Sequence, residues 1–190
     1  MARPSNKEER SNQILSAYER CIGKYGVEGT TLIQIAEEAG LSRALVRHHV
    51  GNQDDLLKQA ISRFITREEQ LYNAYPPEQY QTIDDFLGHL FIYEQDYITN
   101  TLIAQAFTSA SFENAEIREP MIQWFNNFSS WLLMHLEHKF PDVEKDKLLT
   151  VSAGILSICV SYETTIPITD QSFRERSIAS VKILVNSLND

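Results

Sequence analysis

Between Thr31 and Gly51 the sequence carries start and stop signals for two helices with almost no chain between them. Thr31 to Gln34 matches the T-x-x-Q capping box, in which hydroxyl and amide side chains satisfy backbone N–H groups that a helix start leaves free. The helix it opens, about nine residues, carries Leu32, Ile35, Ala36 and Ala39 and ends at Gly40. Ser42 is a good N-cap for a second short helix with Leu45, Val46 and Val50 as its apolar positions, and Gly51 ends it. An amphipathic helix, roughly Glu8 to Tyr25, precedes the pair, with Ile14, Leu15, Tyr18, Cys21, Ile22 and Tyr25 on one stripe and Gly26 as its stop. Two short helices joined by Gly40-Leu41 and braced by a third make a helix-turn-helix. The small Ala36 faces the partner helix, Gly40 sits in the turn, and Leu41 and Val46 supply the apolar contacts in register.

Asn52 caps a long helix with Asp54 and Asp55 in its first turn, where the helix dipole favours them. Leu56, Leu57, Ala60, Ile61, Phe64, Ile65 and Leu71 continue it toward Tyr75, and Pro76-Pro77 terminates it. Four or five longer helices follow, with starts near Ile83, Tyr97, Glu116, Val143 and Ser172. Pro120 interrupts the third early, and Pro141 and Pro167 mark later breaks. Seven glycines and six prolines in 190 residues, with an apolar period near 3.6, exclude most all-β and doubly wound architectures.

Charge divides the chain. Residues 1–60 hold eight basic and eight acidic side chains, so the formal charge of −9 belongs entirely to the rest. An acidic body repels nucleic acid, which puts any polyanion binding at the N-terminal end. Cys21 and Cys159 lie far apart without CxxC spacing, and read as buried small hydrophobes in a reducing compartment. The N-terminus has no apolar signal region, and the longest uncharged apolar run, Leu148 to Tyr162, is too short and too polar to span a bilayer. A cytoplasmic protein without membrane association is expected.

The second short helix turns Arg43, Ala44, Arg47 and His48 outward, toward a major groove. Arg43 and Arg47, four apart, repel each other on an isolated helix, and a polyanion relieves them; a merely solvated face is the alternative. The adjacent His48 and His49 point in different directions, so a shared metal is not expected.

The stretch from Gly29 to Arg43, GTTLIQIAEEAGLSR, followed by His49 to Leu57, HVGNQDDLL, resembles the TetR family of transcriptional regulators. The resemblance covers about residues 8 to 60. It implies an all-α, dimeric protein that binds operator DNA through an N-terminal three-helix helix-turn-helix domain, residues 1–55. A helical ligand-binding and dimerisation domain, residues 56–190, then releases the DNA when a small molecule enters. The expected DNA-binding set is Thr31, Ser42, Arg43, Ala44, Leu45, Arg47, His48, His49 and Lys58. Leu45-Val46-Arg47 stands where the family usually carries Thr-Leu-Tyr, so a guanidinium replaces a phosphate-binding hydroxyl. Gln53 stands where a phosphate-contacting lysine is frequent.

The dense aromatic set of the second half suggests an apolar pocket with a few polar groups. Its expected lining is Phe86, His89, Tyr93, Phe107, Ser111, Trp124, Phe128, Trp131 and Ser157. The body's acidity favours an apolar or cationic effector over an anionic one. Leu148, Val151, Ile155, Ile158 and Tyr162, with Ile178, Val181, Leu184, Val185 and Leu188, form two stripes that pair across a twofold axis as a four-helix bundle, or else pack within the monomer. His135 and His138 near Glu137 have zinc-like spacing but lie on an exposed helix end. No cofactor and no metal is expected. Hydrolase, nucleotide-binding and metalloprotease motifs are missing, and Glu68-Glu69 and Asp84-Asp85 read as solvated faces, so the chain is not expected to be an enzyme. The competing reading is a helical interaction protein of the same fold that has lost operator binding.

Overall fold

The computed structural model describes residues 6–91 and 95–189, with side chains from residue 7 and, after the gap, from residue 98. Among the described residues the chain is helical, with no strand: α1 (Asn6–Gly29), α2 (Leu32–Ala39), α3 (Arg43–Val50), α4 (Gln53–Ala74), α5 (Ile83–His89), α6 (Gln95–Ala110), α7 (Ala115–Lys139), α8 (Lys145–Thr165) and α9 (Gln171–Asn186). Short 3-10 turns occupy Pro77–Gln79, Ile166–Ile168 and Ser187–Asn189.

The chain divides into two compact units. The first comprises the chain up to Arg67 together with Thr99–Ile122, and the second comprises Glu68–Ile98 and the chain from Gln123. Helix α4 runs unbroken through residue 55.

In the first unit the caps set the helix ends. The Thr31 side chain accepts from the Gln34 N–H while Gln34 Oε1 accepts from the Thr31 N–H at 2.7 Å, completing the capping box. Gly40 takes φ 64°, a left-handed conformation that glycine adopts without a Cβ clash, and the Leu41 N–H then reaches Ala36 O at 2.9 Å. Ser42 accepts from the Leu45 N–H, and Asn52 Oδ1 from the Asp55 N–H at 2.8 Å. Gly26 breaks the helical geometry of α1 at φ 74° and ψ 172°, as its stop signal predicts, but the chain resumes helical pairing as far as Gly29.

Ile14, Tyr18 and Ile22 of α1, Ile35 of α2, Val46 of α3 and Leu56 and Phe64 of α4 are buried in this unit. Each removes its side chain from water, worth about 1.5–3 kcal/mol for a residue of this size. Polar ties fix α1 against α2: Gln13 donates to Ala39 O at 2.7 Å, and Arg20 and Lys24 grip the two oxygens of Glu38 at 2.6 and 2.9 Å. Glu19 is buried on α1 beside Arg63 and Arg67 of α4, at 3.7 and 3.5 Å.

The second unit is built around Phe86, Leu87, Phe91, Trp131, Leu132, Leu136 and the inner faces of α8 and α9. Thr82 and Asp85 form a capping box for α5. Asp85 is exposed, as expected, and also serves as a cap, and that cap opens only seven residues of helix where a longer one is expected. Pro120 does not interrupt α7, which runs for 25 residues around it.

Of the α8 and α9 stripes, Leu148, Val151, Ile155 and Tyr162 are buried with Val181, Val185 and Leu188, which is the packing within the monomer that the sequence left as the alternative, while Ile158, Ile178 and Leu184 are half-buried. Helices α8 and α9 meet closely at Gly154, where a Cβ would stand 2.9 Å from Leu184 Cδ1. Residues Lys145–Ile168 are long and apolar enough by composition to cross a bilayer, a property shared with core helices of soluble proteins. Cys21 is buried in the first unit and Cys159 in the second, both as free thiols whose pKa burial raises above the ordinary thiol value.

Candidate nucleic-acid interface and effector cavity

Helix α3 has one buried side and one exposed side. Val46 and Val50 insert into the first unit, which leaves Arg43, Ala44, Arg47 and His48 exposed on the opposite side, at i, i+1, i+4 and i+5. Helix α3 carries no carboxylate, and neither arginine joins an ion pair among the described residues. The face is therefore cationic, with two guanidiniums free to reach a polyanion.

The other expected contacts are placed differently. The Thr31 and Ser42 hydroxyls are engaged as helix caps, and Leu45 donates its N–H to Ser42 and is half-buried. The adjacent His48 and His49 rings meet edge to face, with centroids 5.5 Å from each other. His49 is half-buried with Nδ1 sealed from solvent, whereas His48 remains on the outer face. Lys58 stands 3.3 Å from Glu116 in an exposed ion pair. Gln53 donates to Thr30 O at 2.8 Å, so the residue in the lysine position ties the start of α4 to the turn before α2.

The expected effector lining is divided between the two units. Phe107 and Ser111 belong to the first unit, where Phe107 is buried against Phe64 at 5.7 Å and Ser111 donates to Thr108 O. Ser157 lies exposed on α8 and donates to Ala153 O at 2.8 Å. Tyr93 falls outside the described residues. Phe86, His89, Trp124, Phe128 and Trp131 are gathered in the second unit, in a run of ring contacts that also takes in Tyr72, Tyr75, Tyr80 and His135. His135 is 2% exposed and belongs to this core, which corrects its expected position on an exposed helix end. Burial pushes the pKa values of His89 and His135 below the ordinary histidine value, and it pushes that of the Tyr80 hydroxyl up to about 12.

Two cavities open in the second unit. One of about 520 Å³ is lined by Tyr162, Ile166, Thr169, Asp170, Gln171 and Arg174, and Arg174 donates twice to Phe91 O. The other, about 330 Å³, runs along α4 and α7, and among the expected effector residues only Trp131 lines it. Glu69, Tyr72, Asn127 and Met134 on its walls were missed in the sequence. The signal that could have found them is the one-turn spacing that puts Glu68 and Glu69 beside Tyr72 on α4. Glu68 is not a solvated carboxylate; it is 7% exposed and accepts from Tyr72 Oη and Trp124 Nε1.

Residues 14–60 match the family model described as bacterial regulatory proteins, tetR family. The chain is 25% identical over 143 residues to the HTH-type transcriptional regulator BetI of Burkholderia lata, a match that takes in 73% of this chain and 65% of that protein's length. It is 36% identical over 67 residues to the HTH-type transcriptional regulator HbdR of an Aromatoleum species, covering 35% of this chain and 29% of the relative. Among solved structures, a TetR-family regulator from Cytophaga hutchinsonii superposes with a TM-score of 0.77 at 11% identity, over 98% of both chains. A TetR regulator from Haloarcula marismortui gives a TM-score of 0.75 at 18% identity, over 95% of this chain and 98% of that one. These structural likenesses extend the shared all-helical fold across the second unit.

Proposed function

We propose, from the TetR-family regulatory domain that residues 14–60 of this chain form, that the protein is a homodimeric cytoplasmic repressor that leaves its operator when a small apolar or cationic molecule binds. The exposed cationic face of α3, bearing Arg43, Arg47 and His48, carries this reading. In it, residues 1–55 are the DNA-binding domain and residues 56–190 the ligand-binding and dimerisation domain. Arg43 reads a base edge, most naturally a guanine, and Arg47 grips a phosphate.

The dimer forms through the outer face of α8 and α9. Leu149, Val160 and Ile183 are exposed there, Ile183 by 70%, among the small side chains Ala153, Ser157, Ala179 and Ser180. A face of isolated large apolar residues set among small ones suits close approach of a second copy about a twofold axis.

Fluorescence anisotropy with duplexes from the DNA upstream of the chain's own gene tests this reading. The expected result is a twofold-symmetric site bound much more tightly than random duplex, with affinity falling steeply as salt rises. Equal affinity for every duplex would replace the repressor with a helical interaction protein that keeps the fold.

A further inference from the structure

The groove along α4 and α7 of the second unit joins ring, carboxylate and thioether surface to the neutral polar side chains of Asn73, Asn127 and Ser130. Tyr72 and Trp131 give it ring surface, Glu69 a carboxylate and Met134 a thioether, and no lysine or arginine lines it among the described residues. The rings belong to a longer stack. Trp124, Phe128 and Trp131 follow one another along one side of α7, with planes 22° and 28° from parallel, and Tyr72 lies within 9° of parallel to Phe128.

Carboxylates sit beside that stack. Glu68 accepts from Tyr72 Oη at 3.3 Å and from Trp124 Nε1 at 3.1 Å, and Glu69 accepts from Asn127 Nδ2 at 3.4 Å. The Asn127 donor is neutral, so its bond fixes Glu69 in place without cancelling the charge. The Tyr72 hydroxyl registers this environment: burial first, then Glu68 and Glu163, push its pKa far above the ordinary tyrosine value.

Ring faces, carboxylate and thioether are all electron-rich. A cation is attracted to each of them, an anion is repelled, and a neutral apolar molecule would strip water from Glu69 and return nothing. We propose that this groove binds an organic cation, a quaternary or protonated amine with apolar substituents. Glu69 is its counter-charge, and Tyr72 and Trp131 are its aromatic wall. The groove volume of about 330 Å³ lies at the small end of the range for ligand sites, which suits a single compact molecule. This assignment deepens the reading of the second unit as effector-binding and rests on it for any consequence at DNA.

Isothermal titration calorimetry of the full chain tests the site with three probes that share a phenyl ring. These are benzyltrimethylammonium, the neutral near-isostere 2-methyl-1-phenylpropan-2-ol, and phenylacetate. The cation should bind at least about tenfold more tightly than the alcohol, and phenylacetate should bind more weakly than either. Glu69→Gln should weaken the cation about tenfold and leave the alcohol unchanged. Tyr72→Phe keeps the ring and should hold the cation within about threefold of the parent. The assignment is overturned if the alcohol or phenylacetate matches the cation, or if a folded Glu69→Gln protein binds the cation as the parent does. It is equally overturned if folded Tyr72→Phe loses binding. Should Glu69→Gln fail to fold by thermal melting, the three probes on the parent decide alone. Binding is read without DNA, so a cation that binds but leaves the operator complex intact overturns the repressor reading and supports this site.

Discussion

The His135 imidazole lies flat on the Phe86 ring, with centroids 4.3 Å apart and planes 9° from parallel. Its Nδ1 faces Trp131 O at 2.7 Å, and since a carbonyl only accepts, that nitrogen carries the proton. Burial is the largest effect on its pKa and lowers it, while the carbonyls of Trp131 and Tyr75 and the charge of Glu78 pull the other way without cancelling it. His89, with its ring 4.2 Å from that of Tyr75, is lowered by burial and by the nearby His135.

A folded-state histidine pKa below the unfolded value means that the unfolded chain takes up protons first. Stability should therefore be flat above about pH 7 and decline as pH falls through about 6.5, by up to about 1.4 kcal/mol per pH unit for each histidine. Urea unfolding at pH 7.5 and pH 5.5 measures this. His135→Asn should lower stability at both values and flatten the slope between them; an unchanged slope would show that the decline comes from His89 or from carboxylates instead.

Gly51 joins α3 to α4 at φ 76° and ψ −135°, and a Cβ there would meet Asp55 Oδ2 at 2.7 Å. Gly51→Ala both strains the backbone and displaces the carboxylate that caps α4, an expected cost of about 1–3 kcal/mol in chemical denaturation. Gly88, which has open space around it and no positive φ, gives the comparison, and Gly88→Ala should be neutral or slightly stabilising.

On DNA the two α3 arginines should separate. Arg43→Ala should cost about 1–3 kcal/mol on the specific site and relax base preference at one position, whereas Arg47→Ala should weaken all duplexes alike and lower the salt slope by about one. Anisotropy titrations at several salt concentrations distinguish the two, and parental behaviour in both variants would remove α3 as the reading element.

Assembly is tested on the outer face of α8 and α9. Ile183→Lys adds a charge to an exposed position that carries no core packing, so it should convert a dimer to a monomer in sedimentation velocity and leave the thermal midpoint of the monomer intact. A dimer that survives this change would have its interface elsewhere.

The helix-turn-helix was legible because its signals are local. Thr31, Gly40, Ser42 and Gly51 each act within a few residues, and each end falls where its cap predicts. Helix α8 shows where that locality ends. It is apolar at Leu148, Val151 and Ile155 and again at Leu149 and Val160, and periodicity does not tell which set faces the core. The aromatic residues are divided between the two units for the same reason. Phe107 and Trp131 look alike in sequence, but one packs against Phe64 in the first unit and the other against Tyr72 in the second. Glu68 looked solvated because nothing within one turn reveals Trp124, which meets it from another helix.

Two buried thiols, one in each unit, give the chain a pair of internal clocks. Cys21 and Cys159 are both nearly inaccessible, and a protonated, covered thiol reacts with a disulfide reagent only when its surroundings open. The rate at which each is labelled therefore times the opening of its own unit, without any engineered probe. Equal rates would mean that the protein opens as one cooperative body. Unequal rates would mean that one unit breathes while the other stays closed.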